Sequence, residues 1–225
     1  SGCTSNLIAA GGVLNAPDYT RTCQCSYQNQ TSLAFIHMPE LDYWTTNDFD
    51  WNGEPVRHIG VNLNAPGDRI SEDGTLWLDF PSVGGKSPDI PIKYDSTNTN
   101  GLRRHVFNMQ GNEYKWVGSS ALTGPLDLML TLEKEPVKSS TYTVHLLFAE
   151  LENKAPGDRI FDVFIQDKNV LNDFDIVKEA GIENKTIIKT FRDVNVAGTL
   201  KISCVPSNMD TDSLPLLCGI ELIRE

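Results

Sequence analysis

The sequence predicts an all-β protein, a β-sandwich with one short helix, and three observations carry that expectation. Apolar residues recur at every second position through long stretches, the period of half-buried strands. Turn residues punctuate these stretches at the short intervals of a sandwich. Only DIVKEAG reads as helix, with Gly181 placed to cap it.

In chain order, residues 1–45 stand apart, rich in Gly, Asn, Thr, Ser and Cys, with one apolar run, SLAFIHMP. The sandwich is expected over 46–225. It begins with the connector DYWTTNDFDWNGEP, and VRHIGVNLNAP opens the alternating text. GTLWLDF is a strand through Trp77. In TYTVHLLFAEL, Tyr142, Val144, Leu146 and Phe148 share a face. RIFDVFIQD sets Phe161, Val163 and Ile165 against Asp162 and Phe164. TIIKTFRDVNV, GTLKISCVP and LLCGIELI complete the strands.

The hexapeptide APGDRI occurs at Ala65–Ile70 and again at Ala155–Ile160. Pro-Gly favours a type II turn, because Pro presets φ and Gly accepts a positive φ. The flanking text differs, so these are not two repeats of one domain. One turn used twice is the first reading, and two turns bordering one site on one rim is the second. Asp68–Arg69 and Asp158–Arg159 are expected to be surface ion pairs.

The chain has 225 residues, enough for one large domain, with 40% hydrophobic and 22% charged residues, an ordinary globular balance. Its net charge of -11 argues against nucleic acid and anionic membranes as partners. No apolar run approaches the roughly 20 residues of a membrane span. The N-terminus SGCTSNLIAAGG has no basic region followed by an apolar block, so no signal peptide is expected, and the abrupt start suits a mature or excised fragment.

Five cysteines fall into two clusters, Cys3, Cys23 and Cys25, then Cys204 and Cys218, without metal-ligand or C-x-x-C spacing. They read as disulfide chemistry in an oxidising compartment. Cys204 and Cys218 could close the loop between them, and one thiol of the first trio is left over. Five reduced cysteines is the other reading.

The order in YTVHLLFAELENKAPGDRIFDVFIQDKNVLNDFDIVKEAG is specific: an FAE strand end, a loop, R-x-F-D-V opening the next strand, then D-x-D-I and a short helix. It resembles malectin and the malectin-like domains, and the likeness extends from about Val56 to Ile223. The resemblance implies an antiparallel jelly-roll sandwich that binds oligo- or polysaccharide at loops on one end. It also implies a secreted, periplasmic or cell-surface protein, bacterial forms included. The N-terminal segment resembles the closing segment of bacterial quinoprotein-type (PQQ-like) β-propellers, which implies an upstream propeller as partner.

Sugars need aromatic faces for their C–H surfaces and paired polar groups for their hydroxyls. The resemblance places the malectin loop aspartate at Asp212, with Asp210 second, and a malectin tyrosine at Tyr114 or Trp116. Where malectin follows FAE with two aromatics, this chain has Glu152 and Asn153, either solvated loop residues or hydrogen-bonding substitutes for stacking. Trp77 projects opposite to Leu76 and Leu78 and is core or platform. Asp68, Glu72 and Asp73 form an oxygen-rich cluster that suits a structural calcium, without the EF-hand spacing. Asp212 also suits a turn-former.

His37, His58, His105 and His145 lack ligand spacing, and His145, mid-strand, is expected to have a structural partner. No G-x-S-x-G or P-loop is present, and no carboxylate pair stands out. The reading is therefore a non-catalytic carbohydrate-binding module of a larger protein. The alternative is a structural or protein-interaction domain accessory to the propeller, its sugar site lost.

Overall fold

The computed structural model describes residues 7–16, 33–36, 44–45, 51–83, 90–136, 138–207 and 214–225. The chain divides into two units, Ser1–Leu41 and Asp42–Glu225. In the first, β1 (Ile8–Ala10), β2 (Val13–Ala16) and β3 (Leu33–Ile36) form an antiparallel meander. Gly11 and Gly12, at φ 61° and 75°, make the β1–β2 turn. Two successive positive φ values are what a type I′ hairpin demands, and glycine supplies them without steric cost.

The second unit is a β-sandwich. Its strands are β4 (His58–Leu63), β5 (Arg69–Ile70), β6 (Leu76–Phe80), β7 (Ile92–Lys93), β8 (Asn100–Arg103), β9 (Ser120–Thr123), β10 (Leu126–Thr131) and β11 (Ser140–Phe148). They continue with β12 (Phe161–Ile165), β13 (Lys168–Phe174), β14 (Ile187–Val196), β15 (Thr199–Pro206), β16 (Leu216–Leu217) and β17 (Gly219–Arg224). One sheet has the order β14-β11-β17-β4-β6-β5 and the other β13-β12-β15-β10-β7, with a small sheet β16-β9-β8 beside them. Pairing is antiparallel except for β4 and β6, which run parallel.

The faces read from the sequence are buried in β11 and β12, and in β11 Thr143 and Leu147 on the opposite face are buried as well. Tyr142, Val144, Leu146 and Phe148 are buried, as are Phe161, Val163 and Ile165, while Asp162 and Phe164 are half-buried. Phe148, Phe161 and Phe174 pack ring to ring, with centroids 4.8–6.1 Å apart. Tyr142 is buried to its hydroxyl, which donates to the Val56 carbonyl at 2.8 Å.

DIVKEAG forms α2 (Ile176–Ala180). Asp175 caps its start by accepting from Lys178 N–H, and Gly181 closes it at φ 77°, the left-handed conformation a helix end favours. The sequence reading missed α1 (Lys115–Gly118) and a 3-10 turn at Val106–Asn108, each too short to show a helical period.

Cys204 and Cys218 are both free and buried, which corrects the expected disulfide between them. Cys204 lies on β15 in one sheet, whereas Cys218 precedes β17 in the other, its thiol directed at the Gly118 and Ala149 carbonyls. Each acts as a small core side chain. Burial pushes the Cys204 thiol up to about 12 and raises Cys218 as well. Cys3, Cys23 and Cys25 lie outside the described residues.

The two APGDRI copies fold differently. At the second, Asp158 N–H donates to the Ala155 carbonyl and Gly157 sits at φ 96°, as a type II turn requires. At the first, Gly67 has no positive φ. There the chain pairs with Thr45, whose N–H donates to the Asp68 carbonyl at 2.8 Å while Asp68 N–H donates back at 2.9 Å. A Cβ on Gly67 would lie 3.0 Å from that of Trp44, so this glycine answers a close approach, not a turn. Both arginines are buried, at 7% exposure for Arg69 and 2% for Arg159, so the expected surface ion pairs give way to interior contacts.

Candidate functional site

Two groups of the predicted residues emerge, built on different elements. The first lies at the FAE end of β11, where Glu150 is fully buried. Arg159, from the second APGDRI, reaches Glu150 through Nε at 2.7 Å and Glu152 through Nη2 at 2.5 Å. Its Nη1 donates to the Leu214 carbonyl. Glu150 also accepts from Glu152 N–H at 2.8 Å, and its carbonyl accepts from Asn184 N–H at 2.9 Å. A buried carboxylate is tolerable only when paired and hydrogen-bonded in this way. The most recognisable motif of the sequence, FAE with R-x-F-D-V, is therefore the brace that joins three segments on one rim.

On that rim stand Glu152, whose carboxylate faces Arg159, and Asn153, exposed and in the left-handed conformation at φ 56°. Leu214 closes the segment that carries Asp210 and Asp212, and those two aspartates lie outside the described residues.

The second group lies on the outer face of the six-stranded sheet. Register places Arg69, Trp77, Gly60, Glu221 and His145 in one row across β5, β6, β4, β17 and β11. The Trp77 indole lies over Gly60, where a Cβ would meet ring atoms at 2.1–2.5 Å, and reaches toward Gly219. Trp116 and Tyr114 pack on it, each with its ring centroid 5.4 Å from that of Trp77, and Trp44 meets Trp116 edge-on at 6.3 Å. The Arg69 guanidinium sits 4.8 Å over Trp116, a cation–π contact. Trp77 has no exposed surface, so it cannot touch a ligand and is corrected from platform to support. It is core, as its burial shows, and Tyr114 and Trp116 pack against it.

Polar groups surround these rings. Glu221 pairs with His58 at 2.9 Å and with His145 at 3.4 Å, the structural partner expected for His145. Thr75 donates to Glu221 at 3.3 Å. Tyr114 adopts φ 43° and ψ 39°, a left-handed conformation that costs a non-glycine residue about 1–2 kcal/mol. Its hydroxyl pKa is pushed up to about 12 by burial, helped by the charges of Glu221 and Asp73.

The calcium cluster does not assemble. Asp68 is buried and accepts from Asp79 N–H at 2.9 Å, whereas Asp73 turns to Ser71 and Thr75 and Glu72 is exposed. Among the described residues no three His, Cys, Asp or Glu side chains are placed to hold a metal ion. Asp68 instead raises the pKa of Asp79, second to burial itself. Among the described residues no helix is long and apolar enough to cross a membrane.

The fold is a malectin-like β-sandwich, and residues 134–212 match the Malectin domain family model. Among curated proteins, a probable leucine-rich repeat receptor-like serine/threonine-protein kinase of Arabidopsis thaliana is 26% identical over 72% of this chain. A second probable LRR receptor-like kinase of that plant is 38% identical over 35% of it. The chain spans only 18% and 8% of the length of these relatives. Of solved structures, the plant receptor-like kinase ANX2 matches with a TM-score of 0.56 at 15% identity, over 74% of this chain and 47% of that one. The β-glucuronidase 2 of Bacteroides uniformis matches with a TM-score of 0.58 at 15% identity, over 95% of this chain and 22% of that one. These structural likenesses speak to the fold.

Proposed function

We propose that this chain is a non-catalytic carbohydrate-binding module of a larger secreted, periplasmic or cell-surface protein, binding oligo- or polysaccharide at the rim around Glu152 and Asn153. The observation that carries the reading is the Arg159 brace. It gathers the FAE end, the second APGDRI turn and Leu214, which closes the segment of Asp210 and Asp212, onto one rim. The Malectin match over residues 134–212 spans the FAE end and the second APGDRI turn and stops short of Leu214. Tyr114 is tied toward this rim, its carbonyl accepting from Thr186 Oγ1 at 3.3 Å.

The test is an array of oligo- and polysaccharides probed with the purified chain. Saturable binding that is lost in Asp212→Ala supports the reading, and a blank array from folded protein sinks it. One observation favours a second reading, a structural or protein-interaction domain accessory to an upstream propeller. Glu152, standing where the resemblance calls for an aromatic, already spends its carboxylate on Arg159. The β1–β3 meander has the strand pattern of part of a propeller blade. Stable co-purification with a propeller fragment, together with a blank array, would favour it.

A further inference from the structure

We propose that Phe107 is the stacking residue of the rim, and that it takes the apolar C–H face of a pyranose ring. The proposal rests on the carbohydrate reading and adds the aromatic that the positions after FAE lack. Phe107 is 61% exposed, although burying an aromatic ring is among the larger gains of folding. Its exposure does not come from a loose loop. Val106 and Met109 on either side are buried and anchor the 3-10 turn that carries it. Asn108 N–H donates to the His105 carbonyl at 2.8 Å, and Phe107 N–H donates to His105 Nδ1 at 3.2 Å. The His105 ring stacks against Phe107, with centroids 5.4 Å apart and planes 12° from parallel. The phenyl ring is thus backed in part by the offset His105 ring and otherwise faces solvent.

Both ends of this loop are pinned to the FAE end. At one end Arg104 Nε donates to the Leu151 carbonyl at 2.7 Å. At the other, Gln110 N–H donates to the Asn184 carbonyl at 2.6 Å, and Asn184 N–H in turn donates to the Glu150 carbonyl. Phe107 is therefore the crest of a bridge with one foot on Leu151, next to Glu152 and Asn153, and the other on Asn184, which is itself bonded to Glu150. Asn108 and Gln110 on the loop, and Asn153 two residues beyond its Leu151 foot, are exposed amides that can meet sugar hydroxyls. A single ring rimmed by amides, with its apolar neighbours turned inward, suits one sugar unit. A protein partner would want a contiguous apolar centre, and the turn offers none.

The test uses the full chain with the strongest hit of an array holding neutral and uronic-acid oligosaccharides, titrated by calorimetry. Phe107→Ala is expected to weaken binding at least about tenfold, the scale of a hot-spot aromatic. Phe107→Leu, which keeps apolar bulk without a ring, is expected to lose binding alike, and Phe107→Trp to retain it. All three are expected to melt as the parent does, because the side chain is exposed. Unchanged affinity in Phe107→Ala, while the parent binds and Asp212→Ala does not, overturns this proposal and leaves the carbohydrate reading standing. Leu serving as well as Phe also overturns it. A blank array for the parent overturns the reading beneath it.

Discussion

Replacing Arg159 by methionine removes the cation that lies against the buried Glu150 carboxylate. The side chains of Arg159 and Glu150 are 3% and 0% exposed, so water cannot take the place of the lost partner. Breaking one side of a buried pair costs about 3–5 kcal/mol, because the remaining charge is left uncompensated. In a domain of this size each kcal/mol lowers the melting temperature by about 2–4 °C, so a fall of about 6–20 °C is expected. The cost should depend on Glu150. In a Glu150→Gln background the amide oxygen can still accept from Glu152 N–H, no buried charge is stranded there, and Arg159→Met should be at least about 1 kcal/mol milder. The assay is urea unfolding of the parent, both single variants and the double variant. A cost for Arg159→Met below about 1 kcal/mol, or the same cost in both backgrounds, would refute the argument that the FAE–R-x-F-D-V motif is held by this charge pair.

Three further outcomes follow from the packing. Gly60→Ala drives a Cβ into the Trp77 indole and should destabilise by the upper end of about 1–3 kcal/mol; a parental urea midpoint would mean that the ring does not lie there. Burial and the neighbouring Asp68 raise the Asp79 pKa, so the favourable protonated form is fully present below the ordinary carboxylate value and its contribution is lost as pH rises through the raised one. Asp79→Asn, which mimics that form, should therefore gain stability over the parent at neutral pH and lose the advantage in acid; melting curves at both pH values decide it. Cys204 and Cys218 should resist iodoacetamide at pH 8 in the folded chain and react once it unfolds, because buried thiols with raised pKa values hold almost no thiolate; mass spectrometry of each peptide checks this, and rapid native labelling would contradict their burial.

Where a side chain faces within a strand is a local matter, and the sequence expressed it. The alternation of Phe161, Val163 and Ile165 survives because inward and outward positions follow from the pleat alone. The cap of α2 was legible for the same reason, since Asp175 and Gly181 act within one turn. Partners were not legible. Glu150 and Arg159 could be quoted as a motif, but nothing in the spacing told that they meet in the interior. Phe107 was passed over because an isolated aromatic in a polar stretch shows no period, and only the backing by His105 and the pinned loop ends set it apart.

The clearest measure of that division is the repeated hexapeptide. By itself the sequence determined an all-β chain, its strand faces, one helix and two sites where Ala-Pro-Gly-Asp-Arg-Ile must turn or bend. The tertiary structure alone decided that Gly157 takes a positive φ while Gly67 makes room for Trp44. It also decided that Arg159 enters a buried charge network while Arg69 lies over Trp116. Six residues set the local conformations a chain can reach. Which of them is occupied depends on neighbours far away in sequence, whose packing and charge outweigh the small local preference of a turn.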